Sequence, residues 1–492
     1  MRSRRAALAG LLAVALAAAP AARAGLAPRY GGALSIALPA APGELDPARA
    51  ATTSDLEADR ALHATLVDLA PDGSLRPGLL DALPEPEAGG RAWRLRLRPG
   101  LRFHDGRPLA AADVAASLSR LVAPATRSRH GWIAAPISGA DEVREGRAAA
   151  LPGVQVVSDL EIRILLDAAF PELPRALAAL PASIVPRGGP STTGAGPFQL
   201  ASRGKDGVVR LVAFDGFWRG RAYPDAVALL PGDARRAGRP SAREDVDLAI
   251  RPEPSGGASS RALPARTATY AVVNLRRLGR GGAEVRRALA ALDRAELAGL
   301  SGRGGAVPLL ALLPPSLAGA PPAGGTPGAP EPAPTGPSAP HLRGAAPLAI
   351  LHATGPDGSR AVADRLQVKL FDRGVRAAVS AVSPDALAAR LSAGSFDLAL
   401  VTLTFAATGP QGALLEVAWA LGGAGAARRA LARLAGDDPS AALQEVADEL
   451  GAVPLYVSGP TASAGPQLEG LSVLPDGTVD PGDLWLAPPG SR

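Results

Sequence analysis

In "WRLRLRP", residues 93–99, Trp93, Leu95 and Leu97 alternate with Arg94, Arg96 and Arg98. This is the period of a half-buried strand, and the Arg row predicts a solvated strand face rather than an anion site. In "DVAASLSRL" (113–121), Val114, Leu118 and Leu121 recur at helical spacing, with Asp113 placed to cap the N-terminus. Residues 25–125 thus predict strands and turns leading to a helix. Further strands are predicted at "VQVVS" (154–158), "EIRILL" (161–166), "GPFQLAS" (196–202) and "VVRLVAF" (208–214). "EVRRALAALDRAEL" (284–297) predicts one amphipathic helix through Val285, Leu289 and Leu292. Residues 346–402 read as β-α-β-α-β, with strands "PLAILHA", "RAAVSAV" and "FDLALV" and a first helix carrying Val362, Leu366 and Leu370. That order predicts an α/β lobe with some parallel pairing. The end of the chain returns to short strands and turns.

One strand end lacks polarity. "FDLALVTLTFAATGP" (396–410) has Asp397 as its only charge, then Thr402, Thr404 and the bland run Phe405-Ala406-Ala407. The end of such a strand is where α/β proteins commonly hold ligand groups.

The first 24 residues carry Arg2, Arg4 and Arg5, an Ala/Leu/Val core too short to span a bilayer, and Ala22-Arg23-Ala24 ahead of Gly25. They read as a secretory signal, with ordinary export expected over a twin-arginine route. The chain has no cysteine, which excludes disulfide staples, thiolate chemistry and Cys-type zinc sites. No lipid-bearing cysteine follows the signal and no later run is long enough to cross a membrane, so a soluble, unanchored periplasmic protein is expected. Of the net charge of +6, the leader's four Arg account for +4, leaving about +2. The basic residues are scattered, aromatics are scarce, and nucleic-acid binding is excluded. The remaining length exceeds one core. "APPAGGTPGAPEPAPTGPSAP" (320–340) is low-complexity and reads as an extended tether.

Catalytic patterns are missing. The five His show no H-E-x-x-H spacing, and no G-x-S-x-G occurs. "FHDG" (103–106) reads as a turn, not a base and its orienter, and the spacing of His63, His104 and His352 supports no metal site. "ATGPDGS" (353–359) lacks the Lys of a phosphate loop and reads as a βα turn, and Asp437-Asp438 before Pro439 as a helix cap. No enzyme, cofactor or metal is expected.

Nearly the whole chain resembles the extracellular solute-binding proteins of ABC transporters, family 5, the dipeptide-, oligopeptide- and nickel-binding type. The matching motifs come in order: "YGGALSIA" (30–37), "ELDPA" (44–48), "LVDLAPDGSLRPGLLDAL" (66–83) and the dense "WRLRLRPGLRFHDGRPLAAADVAASLSRL" (93–121). "TGAGPFQL" (193–200), "FWRGRAYPD" (217–225), "TYAVVNLRR" (269–277) with "VRRALAALDR" (285–294), "VPLY" (453–456) and "DLWL" (483–486) follow. The resemblance implies an α/β, two-lobed Venus-flytrap fold with an extra subdomain in the first lobe. Lobe I would span 25–270, with the subdomain at about 70–186, and be completed by 465–492. Lobe II would span 271–464, interrupted by the tether.

The resemblance also implies a monomeric periplasmic receptor that closes on a solute and presents it to the permease of an ABC importer. Closure follows when a ligand touches both lobes. Residues expected to face the cleft are Thr52, Thr53 and Ser54, then Tyr270 and Asn274, then Thr404, Phe405, Ala406 and Ala407, with Trp419 beyond. Peptide-binding members resemble "DLALVGWGADYPDP" at 397–410, where an acid pairs with the peptide's amino group. Laid over this chain, that acid falls on Ala406, the tryptophan on Leu403 and a later acid on Gly409, while Pro410 matches. A buried ammonium without a carboxylate costs several kcal/mol, at roughly the scale of an unpaired buried charge. The expected cargo is therefore a peptide held in an unusual way, or another small, neutral or partly apolar solute. The alternative is a receptor-derived sensor or scaffold with an eroded ligand site.

Overall fold

The computed structural model describes residues 27–232, 246–252, 260–318, 346–355, 358–434 and 439–488. The stretches read as a secretory leader (1–24), as a tether (320–340) and as a helix cap (Asp437-Asp438) lie outside the described residues.

Two mixed sheets form the frame. The first has seven strands in the order Ser260–Ala262, Thr461–Ala464, Leu248–Arg251, Ala33–Leu38, Ala226–Pro231, Val209–Ala213 and Phe198–Arg203. Ala33–Leu38 lies parallel to both of its neighbours. The second has six strands: Val307–Pro308, Ala452–Ser458, Thr267–Val273, Leu398–Thr404, Leu348–Ala353 and Ala377–Val382. Leu348–Ala353 pairs in parallel with Ala377–Val382 and with Leu398–Thr404, as the β-α-β-α-β reading requires. Thr267–Val273 is buried along its whole length, as befits a strand flanked on both edges.

The chain leaves the first sheet after Ala262 and enters the second at Thr267; it leaves the second after Ser458 and re-enters the first at Thr461. The two crossings run side by side, with Thr267 opposite Ser458 and Ala262 opposite Thr461. They precede the 270/271 and 464/465 crossings read from the sequence by a few residues.

A third, four-stranded antiparallel sheet, Glu85–Glu87, Ala92–Arg96, Glu161–Leu165 and Val154–Ser158, belongs to the segment between the two lobes' first strands. Trp93 and Leu95 point inward and are buried, while Arg94 and Arg96 are exposed. The Arg row is partnered within the chain: Arg94 Nε donates to Glu87 Oε1 at 3.0 Å, Arg96 Nε lies 3.4 Å from Asp81 Oδ2, and Arg98 Nε donates to Gly78 O at 2.9 Å.

Two sequence readings need local correction. Asp113 is not the cap of helix Ala111–Arg120 but sits in its first turn, where Oδ2 accepts the Ala110 N–H at 3.0 Å. The single helix expected at 284–297 is two, Leu275–Ala290 and Arg294–Leu300. Asp293 interrupts it because its Oδ1 caps the second helix, accepting from Ala295 N at 2.9 Å and Glu296 N at 3.4 Å.

Apolar side chains divide into large clusters. One fills the first sheet, through Leu34, Ile36, Val227 and Leu248. Another lies on one face of the second sheet with helix Ser359–Phe371, through Val362, Leu366 and Leu398. The third joins the four-stranded subdomain to the other face of the second sheet without interruption, from Trp93 and Ile164 through Trp132 and Phe170 to Phe405 and Val417. Among the described residues no helix is long and apolar enough to cross a membrane.

Candidate functional site

The strand Leu398–Thr404 ends on the seam where that third cluster crosses from the subdomain to the second sheet. The loop that follows is bland in sequence but not short of polar partners, because they come from elsewhere. Arg266, just ahead of the paired strand, accepts the Phe405 N–H on its own carbonyl at 2.9 Å. The residue is 4 % exposed and its guanidinium spans three carbonyls. Nε donates to Phe405 O at 3.1 Å, Nη1 to Pro475 O at 2.8 Å, and Nη2 to Ala407 O. Burial draws the guanidinium's pKa down, against the nearby Asp476 and Glu416 carboxylates.

Glu416 supplies the other half. It lies in helix Pro410–Leu434 and is 1 % exposed. Both carboxylate oxygens accept from Ala406 N at 3.1 Å, and Oε2 also accepts from Ala407 N at 2.9 Å. From the subdomain side, His130 donates Nε2–H to Ala50 O at 2.6 Å and sets Nδ1 3.7 Å from Glu416 Oε1. Nδ1 is buried and has no hydrogen-bond partner.

The seam continues along the same helix. Glu172 Oε2 accepts from Gln411 N and Gly412 N, each at 3.1 Å, closing the first turn. The Thr408 hydroxyl donates to Arg175 O at 3.4 Å, and Arg175 Nη1 donates to Gly73 O at 3.3 Å. Trp132 is fully buried, close to Gly412. The Trp419 ring lies over Gly131 so closely that a Cβ there would come within 2.6 Å of three ring atoms. At the outer end Arg428 pairs with Asp141 at 2.6 Å. A hollow of only about 10 Å³ remains beside Trp419, bounded by Val122, Ala135, Ala140 and Arg428.

The expected cleft residues divide into two groups. Thr404, Phe405, Ala406, Ala407 and Trp419 meet at the seam, with the Thr404 hydroxyl 3.1 Å from that of Thr267. The others are engaged in local structure. Thr52 caps helix Thr53–Leu62, accepting Asp55 N at 3.2 Å, and Thr53 opens that helix half-buried. Ser54 Oγ accepts Ala40 N at 3.1 Å. Tyr270 is wholly buried, donates its hydroxyl to Leu312 O at 2.7 Å, and has its pKa pushed up by burial. Asn274 caps helix Leu275–Ala290 through Arg277 N at 3.1 Å, and its amide donates to Gly394 O and Phe396 O at 2.8 and 2.9 Å.

Sequence reading missed His130, Gly131, Glu172, Arg175, Arg266 and Glu416. Glu416 left a signal, being the only acid in the helical run 410–434. His63 and His104 lie near one another in the first lobe, whereas His352 Nδ1 lies 3.2 Å from Ser359 Oγ in the second. Among the described residues no group of three or more acidic, His or Cys side chains is arranged to hold a metal.

Two α/β lobes crossed twice by the chain have the two-lobed architecture of the Venus-flytrap class. The chain matches the bacterial extracellular solute-binding proteins, family 5 (middle region), over residues 74–418, and it belongs to that family. These are solute-binding proteins of ABC importers and not enzymes. The uncharacterized protein YhjP of Bacillus subtilis (strain 168) is 30% identical over 145 residues, which cover 29% of this chain and 22% of YhjP. The match thus spans less than a quarter of that relative's length.

Among solved structures, the Escherichia coli murein tripeptide binding protein MppA superposes with a TM-score of 0.73 at 20% identity, covering 93% of this chain and 98% of MppA. MppA in its unliganded open form gives 0.62 at 19% identity, covering 94% and 99%. Haemophilus influenzae OppA in complex with RPPGFSPFR gives 0.72 at 16% identity, covering 94% and 100%.

Proposed function

We propose that this chain is the exported, monomeric receptor of an ABC importer, cleaved after Ala24 and working in the periplasm with a membrane permease as its partner. Its cargo is a small solute taken up at the seam around Thr404–Ala407 and Trp419. The observation that carries the ligand class is the use of Glu416. That carboxylate is the acid nearest the loop, and it is spent on the Ala406 and Ala407 N–H groups. Glu172, the other carboxylate at the seam, is likewise engaged by backbone N–H groups, those of Gln411 and Gly412. With both acids so committed among the described residues, a neutral or partly apolar solute is favoured over a free peptide amine.

Thermal-shift titration with tetra-alanine and its N-acetylated, C-amidated form tests this reading. Stabilisation by the blocked form, equal to or above that by the free form, supports it. Stabilisation by the free form alone contradicts it.

A second reading is a receptor-derived sensor or scaffold whose ligand site has eroded. The small hollow beside Trp419, about 10 Å³, favours it, since a peptide or drug-sized solute needs hundreds of Å³ by comparison with known sites, roughly 300–1,000 Å³.

A further inference from the structure

We infer that the two lobes of this protein stay closed with no solute present, because the chain's own residues occupy the seam on which a solute would close them. The inference goes beyond the receptor reading and holds whether or not a solute is ever bound.

A carboxylate that fills the loop and three contacts across the seam carry it. The Glu416 carboxylate fills the loop's N–H groups from within the second lobe, and His130 faces it from the subdomain. Glu172, from the subdomain, caps the first turn of the long helix of the second lobe. The Trp419 ring lies against Gly131, where a side chain would collide with it. Arg428 and Asp141 close the outer rim. Beneath these the apolar cluster runs unbroken from one lobe to the other, through Trp132, Phe170, Phe405 and Val417.

Those three contacts do for closure what a ligand does in a two-state flytrap. Each has partners on both sides of the seam and so stabilises the closed state over the open one.

Two consequences follow. Closure ceases to report occupancy, so a partner that reads the closed shape meets it continuously. A solute must displace seam contacts to enter, and its apparent affinity is lowered by the small fraction of molecules open at any time.

The absence of cysteine allows a direct test. Gln155→Cys on the four-stranded sheet and Ser392→Cys at the end of helix Pro384–Ser392, both exposed, introduce the only two thiols for a nitroxide pair. The full secreted chain is refolded from denaturant to remove carried-over solute, and its inter-label distances are measured by pulsed dipolar spectroscopy. One narrow distance, unchanged by tetra-alanine, is the expected result, with Gly131→Val adding a longer population. Should Gly131→Val fail to fold, Trp419→Ala in the same labelled background is expected to add that population instead. A wild-type distribution that includes the longer distance before peptide is added overturns the inference. If that distance then shortens with tetra-alanine, the receptor reading stands while the inference falls. The receptor reading itself fails by a different result, the lack of any thermal shift in both wild type and Trp419→Ala.

Discussion

His130 and Glu416 face each other across the seam, Nδ1 3.7 Å from Oε1, one carried by the subdomain and the other by the long helix of the second lobe. With Nε2–H given to Ala50 O, a neutral ring turns a lone pair towards the carboxylate, and a doubly protonated ring turns a donor. Either way Glu416 is held chiefly by the Ala406 and Ala407 N–H groups. Glu416→Ala strands both of these buried donors, and a loss of about 2–4 kcal/mol in unfolding free energy is expected, at about 1–3 kcal/mol for each unsatisfied group. Glu416→Gln keeps an acceptor oxygen and should lose less than half as much. Urea unfolding measures both, and an alanine variant as stable as wild type would show that the carboxylate is not holding the loop.

Gly131 matters for space rather than for backbone freedom. A methyl group added there meets the Trp419 ring within 2.6 Å. Gly131→Ala should therefore cost about 1–3 kcal/mol, as overpacking generally does. Most of that cost should vanish when Trp419→Ala is made in the same chain, giving a large coupling between the two sites. Additive losses in the double-mutant cycle would mean that the two residues do not touch.

Arg266 should not tolerate lysine. Its planar fork reaches the carbonyls of Phe405, Ala407 and Pro475 from one buried position. An ammonium cannot span all three, and its own pKa drops readily when buried. Arg266→Lys should destabilise by about 2–4 kcal/mol, close to the loss for Arg266→Met, since bonds to a charged donor are worth roughly 1.5–3 kcal/mol each. A lysine variant within experimental error of wild type would contradict the clamp.

Buried acids of the first lobe give stability a distinct pH dependence. Glu57, in helix Thr53–Leu62, accepts Val479 N at 3.2 Å, and burial pushes its pKa up from 4.5 to about 8. Asp59 is shifted the same way by burial and by Asp55 and Asp46. The folded chain keeps a proton that the unfolded chain releases, so these groups weaken stability as pH rises from about 4.5 towards 8. His63 and His104 act in the opposite sense at acid pH. Burial lowers them from 6.5 to about 3 and about 4, so the unfolded chain takes up protons first and stability falls as pH drops below 6.5. Glu57→Gln should therefore gain on wild type between pH 5 and 8, by up to about 1.4 kcal/mol per pH unit. Chemical denaturation at intervals across that range measures the gain. A difference between the two proteins that does not change with pH would contradict the shift.

Much of the frame was legible because it depends on local periodicity. Trp93-Leu95 alternation, the Val362-Leu366-Leu370 spacing and the β-α-β-α-β run all describe one element facing one core, and the structure has each of them. The break at Asp293 was missed because its side chain competes with the helix it interrupts, and the apolar spacing of Val285, Leu289 and Leu292 runs up to it without a gap.

The site was less legible, for a physical reason. The loop at 405–407 takes its polar partners from Arg266 and Glu416, which lie far apart in sequence and converge only in the folded second lobe, with His130 facing Glu416 from the subdomain. Local pattern placed the loop correctly at a strand end, but nothing in "TFAATGP" indicates which carboxylate will reach it. A lone acid in an otherwise apolar stretch, such as Glu416 within residues 412–427, is the kind of signal that marks such a partner.

Native mass spectrometry of the chain from residue 25 onward, isolated gently from the exported compartment, bears most directly on the central claim that this is a solute receptor closed on its own residues. The expected spectrum is a dominant solute-free species with a minor neutral or apolar adduct that is lost on denaturation and grows in Trp419→Ala. A stoichiometric free-amine peptide on the wild-type chain would contradict both the ligand class and the self-closed seam.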